Sequence, residues 1–417
     1  MGRSWWLPLA ACMLLSLAAC GGGDNNSDTG LVRVLNTSQN HVSVDLTTGA
    51  TTVVPATAKD TISTYAGVAA GSPSLQVNDA GTATALTTIA PTIGGSLHYA
   101  LVVFETNGSV KAAVLSEDTA APAANAVLIR VLDVAPEAGA LDVYVTDPAA
   151  PLTAPSFTVS STQTSNGLLT FGAGTYRIRV TGQGNTSDIR LDIPSVTLTS
   201  QQIATVVLSA SVGGVLVDGG VLIQQSTYTP SRNTNARVRL ATGVTGGASV
   251  GAVAGGTTVV SPPLTSPAVG AYAVVPASSA LTVNVNGVVS PVAGTPVAGS
   301  DTTLLVTGAP GAPTSTLIAD DNHLPSTTTV YKMRLVNGLT GAASAQSLTA
   351  DFAVIAAGVA PGTASGYGTG QGSTAVRLDV QPLNITTPNL NLANNAVYSV
   401  FLLGDAAAPT QVVRKDR

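Results

Sequence analysis

Three histidines (His41, His98, His323), three glutamates (Glu105, Glu117, Glu137) and two cysteines (Cys12, Cys20) are a thin supply for acid–base, nucleophilic or metal chemistry in 417 residues. The histidines are far apart and show no His-x-x-x-His spacing, so no zinc-type ligand set is written locally. Glycoside cleavage needs two facing carboxylates. Asp133 and Asp142, which flank an Ala-Pro turn, are the candidates, but turn capping and a solvent-facing strand position explain them more simply. Asp320-Asp321-Asn322 offers the hard oxygen ligands that calcium takes, or else forms a polar linker. Gly366-Tyr-Gly-Thr-Gly-Gln-Gly372 has the glycine density of a phosphate loop, yet it precedes a strand pattern and no lysine follows. No Gly-x-Ser-x-Gly elbow occurs. The expectation is a non-enzyme with no catalytic, cofactor or metal site.

Cys20 is different. It follows an apolar run (Trp5 to Ala11, Met13 to Leu17) and the small residues Ala18 and Ala19, and Gly21-Gly22-Gly23 come next. Arg3 supplies a positive start. This order resembles the lipobox of a bacterial lipoprotein signal peptide. The resemblance implies a leader over residues 1–19, a lipidated Cys20 at the head of a flexible tether over 20–30, and attachment to the membrane through that lipid. Gly21 in place of Asp is similar to Gram-negative lipoproteins sorted to the outer membrane, on its periplasmic face or at the cell surface. Cys12 would leave with the leader, so no disulfide is available to the rest of the chain. No later stretch has the ~18 apolar residues of a spanning helix.

The elements around these residues must therefore be stable through burial alone. Charged residues make up 9% of the chain, against roughly 25% in typical soluble proteins. Glycine (43) and proline (24) are plentiful, 45% of residues are apolar, and the rest is dominated by Thr, Ser, Ala and Val. Short strands joined by many turns suit this composition. Loss of Arg3 leaves 16 basic residues against 22 acidic ones, so there is no basic field for nucleic acid.

The chain repeats itself. Leu31-Val-Arg-Val-Leu-Asn, Leu128-Ile-Arg-Val-Leu-Asp, Arg237-Val-Arg-Leu-Ala-Thr and Lys332-Met-Arg-Leu-Val-Asn open four segments at offsets of 97, 109 and 95 residues. An aromatic residue near a small-residue turn recurs in phase (Tyr65, Phe171, Tyr272, Tyr367), and so does a buried-type strand (97–104, 203–208, 303–306, 396–403). The aromatics are expected in the core. The recurring Arg33, Arg130, Arg239 and Arg334 are expected to serve the fold, for example in a surface pair with an aspartate. Prolines at 122, 230 and 325 close the junctions, where a missing donor stops strand pairing.

Within the units the apolar period is two. Tyr176, Ile178 and Val180 alternate with Arg177 and Arg179, and Leu141, Val143 and Val145 alternate with Asp142 and Tyr144. A sheet with one wet face reads this way. Asn107-Gly108 and Asn286-Gly287 are two-residue hairpin signals. The expected fold is all-β: four tandem immunoglobulin-like β-sandwich units at 31–124, 125–230, 231–328 and 329–417.

Residues 128–148, Leu-Ile-Arg-Val-Leu-Asp-Val-Ala-Pro-Glu-Ala-Gly-Ala-Leu-Asp-Val-Tyr-Val-Thr-Asp-Pro, resemble the opening of the DUF4397 family. An arginine-bearing strand, an Ala-Pro turn and an Asp-Val-Tyr-Val strand carry the likeness. Residues 31–46 are a weaker version, and the third and fourth units keep the opening strand without the Ala-Pro turn. The resemblance implies a β-rich domain of unknown function in a bacterial envelope protein, and no catalytic residues. The functional expectation is a structural, adhesive or assembly surface. The alternative is a module that binds polysaccharide or another envelope ligand with its loops. An exposed Tyr or Phe on a loop would favour the latter, and histidine or paired carboxylates in one pocket would favour an enzyme.

Overall fold

The computed structural model describes residues 28–106, 108–160, 167–341 and 344–417. The leader, Cys20 and the tether through residue 27 lie outside the described residues, as does Asn107. The regular elements of the described chain are all strands, save one three-residue 3-10 turn, Pro136–Ala138, at the Ala-Pro turn of the second unit.

Each unit is built from the same eight strand positions. In the first unit they are Thr29–Asn36, Ser43–Thr48, Thr51–Ala58, Ala66–Ala69, Leu75–Asp79, Ala85–Ile89, His98–Thr106 and Ser109–Ser116. They form two sheets, with orders 4-1-7-8 and 3-2-5-6. The same two orders recur in the other three units, with the third or fourth position split into two short pieces in places. The first and seventh strands run parallel in every unit: Val32 lies opposite Tyr99, Arg130 opposite Thr205, Arg239 opposite Thr303 and Arg334 opposite Ser399. The architecture is the expected sandwich, repeated four times. The strand order is its own, since an immunoglobulin constant-type sandwich would read 1-2-5-4 over 3-6-7.

Each unit has its own core between its two sheets. Two further apolar clusters lie between units. One joins Leu35, Val102 and Phe104 of the first unit to Leu132, Val134 and Val207 of the second. The other joins Ala241, Val269 and Leu305 of the third to Val336, Phe401 and Leu403 of the fourth. The 4-1-7-8 sheets therefore pack face to face in pairs, giving two four-layered blocks. This explains the runs of apolar residues in the seventh strands. Tyr99, Leu101 and Val103 fill the unit's own core, while Ala100, Val102 and Phe104 face the neighbouring unit. A strand covered on both faces has no wet side to alternate with.

One wet face per sheet thus fails for the inner sheets. It also fails for Asp142 and Tyr144 in an outer one, because both are buried. Asp142 accepts hydrogen bonds from Gly184 N (2.8 Å) and Thr158 Oγ1 (2.7 Å), which satisfy a carboxylate that solvent does not reach. The Asn286-Gly287 hairpin forms as expected, with both residues at positive φ (50° and 89°) and Val285 opposite Val288. Pro230 does not end pairing. It lies in Tyr228–Ser231, an added edge strand on the inner sheet of the second unit, where a missing donor can face away from the ladder.

Candidate functional site

The recurring arginines converge at the two inter-unit joints. In the second block Arg239 donates from Nε to Thr303 Oγ1 (2.8 Å) and from Nη2 to Asp416 Oδ2 (3.1 Å). Arg334, its counterpart in the fourth unit, donates from Nε to Ser399 Oγ (3.1 Å) and pairs through Nη2 with Asp320 of the third. Thr303 and Ser399 in turn donate to Asp320 (2.7 Å) and Asp416 (2.6 Å). Each arginine thus crosses to the carboxylate that ends its neighbour's last strand. Tyr272 donates to Asp320, and the Arg239 guanidinium carbon lies 4.6 Å from the Tyr272 ring centroid. Burial works against the charge on Arg239, but Asp416 and Asp320 outweigh it and hold its pKa above the usual value. Burial, with the Asp320 charge, pushes the Tyr272 phenol well up.

In the first block the ion pair stays within one unit and only hydrogen bonds cross. Arg33 pairs with Glu117 (Nε to Oε2, 2.7 Å), which also accepts from Tyr65 (2.7 Å), and Arg33 reaches the Ser226 carbonyl of the second unit. The second unit carries Gln224 and Gln225 where the others end in an acid, and Gln225 Nε2 donates to Glu117 O (2.8 Å). Among the described residues Arg130 bonds Thr205 Oγ1 and Ser116 O (both 2.9 Å), and burial lowers its pKa against the pull of Glu117. The surface pair expected for these arginines is therefore a buried joint for Arg33, Arg239 and Arg334, since the outer face of each inner sheet is covered by another unit. The aromatics expected in the cores are half-buried in these joints at Tyr65, Tyr272 and Tyr367. Phe171 packs between Phe157 and Tyr176.

Asp320-Asp321-Asn322 is neither a cation loop nor a plain linker. Asp320 serves the joint, Asn322 donates to Asp301 (2.6 Å) and to Tyr272 (3.1 Å), and Asp321 turns the other way. Three different sets of partners leave no common centre, and no group of three potential metal ligands occurs among the described residues.

Asp321 lies in a cleft of about 700 Å³ where all four units contribute walls. There it accepts from Lys332 Nζ (2.7 Å) and meets His323 Nδ1 (2.6 Å), while His323 Nε2 meets Ser211 O (3.0 Å). Burial opposes its charge, but His323 and Lys332 outweigh that and hold Asp321 below the usual carboxylate range. Across the cleft Glu105 accepts from Asn40, Thr106 donates to Glu137, and Lys59 donates to Gln39 O. Burial lowers the pKa of Lys59 and Lys332 and raises that of Asp218. These ionisable groups are engaged with each other, with neighbouring polar side chains or with backbone. His323 is thus a fixed wall of the cleft, because the second unit's Ser211 carbonyl caps it.

The other histidines sit apart. His41 meets Asp79 (2.5 Å) and Glu105 (3.6 Å), and His98 meets Asp118 (2.9 Å). Asp133 caps the turn as expected, accepting from Ala135 N (2.9 Å), but its Oδ2 is buried without a hydrogen-bond partner among the described residues. Gly368, Gly370 and Gly372 have a packing role: a Cβ would come within 2.6 Å of Ile355 O, the Tyr331 hydroxyl and Leu392 O respectively.

The tight turn between the second and third strands of the fourth unit carries no sequence signal. It is Asp351-Phe352, both at positive φ (45° and 69°). The equivalent turn of the third unit is Gly255-Gly256, and that of the first begins with Gly49. A bulky residue in the left-handed region costs on the order of 1 kcal/mol or more. Phe352 gains no burial in return, being 76% exposed, and Val354 beside it is 69% exposed. Only comparison with the glycine-bearing turns of sister units could have found this position.

Fold and joints together define an all-β protein of tandem sandwiches. Residues 30–144, the first unit and the first two strands of the second, match the family described as a domain of unknown function (DUF4397). The match includes 31–46 and most of the 128–148 stretch. No curated protein matches the chain. Among solved structures it is similar to the tip fimbrial protein Mfa3 from Porphyromonas gingivalis with a C-terminal truncation, at 11% identity and TM-score 0.22, covering 48% of this chain and 100% of that one. It is also similar to the Bacillus anthracis TIE protein (8% identity, TM-score 0.15, covering 70% of this chain and 48% of that one). A third is a product complex of SpuA, a multi-modular glycogen-degrading pneumococcal virulence factor (9% identity, TM-score 0.16, 64% of this chain and 38% of that one). At these TM-scores the likenesses carry no functional argument.

Proposed function

We propose that this protein is a non-enzymatic, lipid-anchored component of the bacterial cell envelope whose four sandwiches form a stiff structural or adhesive surface. The observation that carries the reading is the pair of charged, face-to-face joints. Each fixes two sandwiches through buried hydrogen bonds and apolar packing, which suits a protein that must hold a shape. Further contacts tie the blocks together: Gly213 N donates to Gly299 O (2.8 Å) and Arg417 Nη1 to Gly214 O (2.7 Å). The anchor rests on the Leu17-Ala-Ala-Cys20 sequence. Fractionation of cells expressing Cys20→Ala tests it, with release from the membrane pellet expected. A variant that pellets as fully as wild type overturns the anchor. Protease treatment of intact cells then separates surface from periplasm.

A second reading, binding of envelope or extracellular polysaccharide, is favoured by one observation: the exposed Phe352 on a hairpin tip.

A further inference from the structure

We infer that the outward face of the fourth unit, at the Phe352 tip, is a saccharide-binding platform that takes a pyranose ring of a polysaccharide. The inference deepens the second reading above and rests on it.

The platform begins with the turn. Asp351 is pinned to the fifth strand twice, with its N donating to Arg377 O (2.8 Å) and its Oδ1 accepting from Arg377 N (2.8 Å). Those bonds hold the strained tip in place, so Phe352 is presented rather than left to choose its position. The Arg377 guanidinium carbon lies 5.2 Å from its ring centroid. Arg377 is itself fixed: Nε and Nη2 both donate to Asp379 (2.8 Å), and Asp379 also accepts from Thr386 Oγ1 (2.6 Å). The Nη1 group has no hydrogen-bond partner among the described residues. With the guanidinium over one face of the ring, the other face is left for a sugar's C–H groups, and the unspent donor suits a hydroxyl at the sugar's edge.

The surroundings agree. Val354 lies opposite Thr349, Thr349 opposite Asp379, and Asp379 opposite Thr386, a row across all four strands of the sheet. Leu348, Leu378 and Val380 point to the core, so this row faces outward. It offers hydroxyls and one aliphatic patch. A membrane surface fits less well. The Arg377 charge is matched by Asp379, leaving no positive excess for anionic headgroups, and two exposed apolar side chains are too few to anchor.

The test uses the full chain carrying Cys20→Ala, so that lipid contributes nothing, in sedimentation with cellulose, chitin and purified peptidoglycan sacculi. Phe352→Gly is the informative variant because glycine suits the left-handed turn. It is expected to melt no lower than its parent and to bind at least tenfold more weakly to whichever polysaccharide the parent binds. Arg377→Gln is expected to weaken binding several-fold, and Val289→Ser on the third unit to leave it unchanged. Undiminished binding by Phe352→Gly overturns the site while the ligand-binding reading stands. Binding of none of the three polysaccharides by the parent overturns both. Loss in Phe352→Gly of binding to phosphatidylethanolamine–phosphatidylglycerol vesicles, with polysaccharide binding absent, would assign the tip to lipid instead.

Discussion

Arg334 of the fourth unit is buried against Asp320 of the third, and Arg239 of the third is buried against Asp416 of the fourth, so the same contact is made twice in opposite directions. Reciprocity of this kind fixes how two sandwiches face each other. Apolar packing alone is tolerant of sliding, whereas a guanidinium that must meet a carboxylate at one place is not. Desolvation cancels much of the Coulomb gain, so these pairs are better understood as setting orientation than as adding net stability.

Removing one partner should therefore be costly. Asp320→Ala strands the Arg334 charge and the Tyr272 and Thr303 hydroxyls, and is expected to lower unfolding stability by about 3–5 kcal/mol. Asp320→Leu combined with Arg334→Met should recover most of that. Denaturant midpoints decide it, and a loss below about 1 kcal/mol for Asp320→Ala would place this pair with exposed surface bridges.

Asp133 makes the protein's stability depend on pH. Burial pushes its carboxyl up to about 7, with the Ala135 N–H pulling the other way. A folded-state pKa raised above the unfolded value favours folding while the group is protonated. Its contribution is full below about pH 4 and is lost as pH rises toward 7, and each pH unit across that window corresponds to roughly 1.4 kcal/mol. Asn36 and Asn337 occupy the same strand position in the first and fourth units and donate their amides to third-strand carbonyls, Thr57 O and Val359 O. Asp133→Asn is accordingly expected to stabilise the protein at pH 7 and change little at pH 4. Melting curves across that window that are parallel for both proteins would refute the assignment.

The second joint also depends on absent side chains. A Cβ on Gly243 would lie 2.3 Å from Gly338 O and 2.9 Å from Gly404 N. Backbone on both sides cannot yield as a flexible side chain would. Gly243→Ala is expected to loosen the third and fourth units, with a lower melting temperature and faster proteolysis between residues 320 and 331. Gly311→Ala, where a Cβ meets nothing within 4 Å, is the control and should behave as wild type.

Much of the fold was legible because strand pairing writes itself into local sequence. Alternation at Leu141, Val143 and Val145 marked a core face, Asn286-Gly287 marked a turn, and four Arg-bearing openings at near-constant spacing marked four copies of one unit. The site was less legible. Phe352 carries no turn signal of its own, and its meaning came from a backbone conformation in which the third unit uses glycine.

By itself the sequence determined the all-β class, the repeat and the thinness of its catalytic repertoire, since each depends on residue type and short-range period. Only the tertiary structure decided what covers each sheet. Arg239 could be a surface residue or a buried one on the same strand, and the difference is whether another unit lies against it. Sandwich docking brings Arg239 and Asp416 together from 177 positions apart in the chain, and no local pattern encodes a contact of that range.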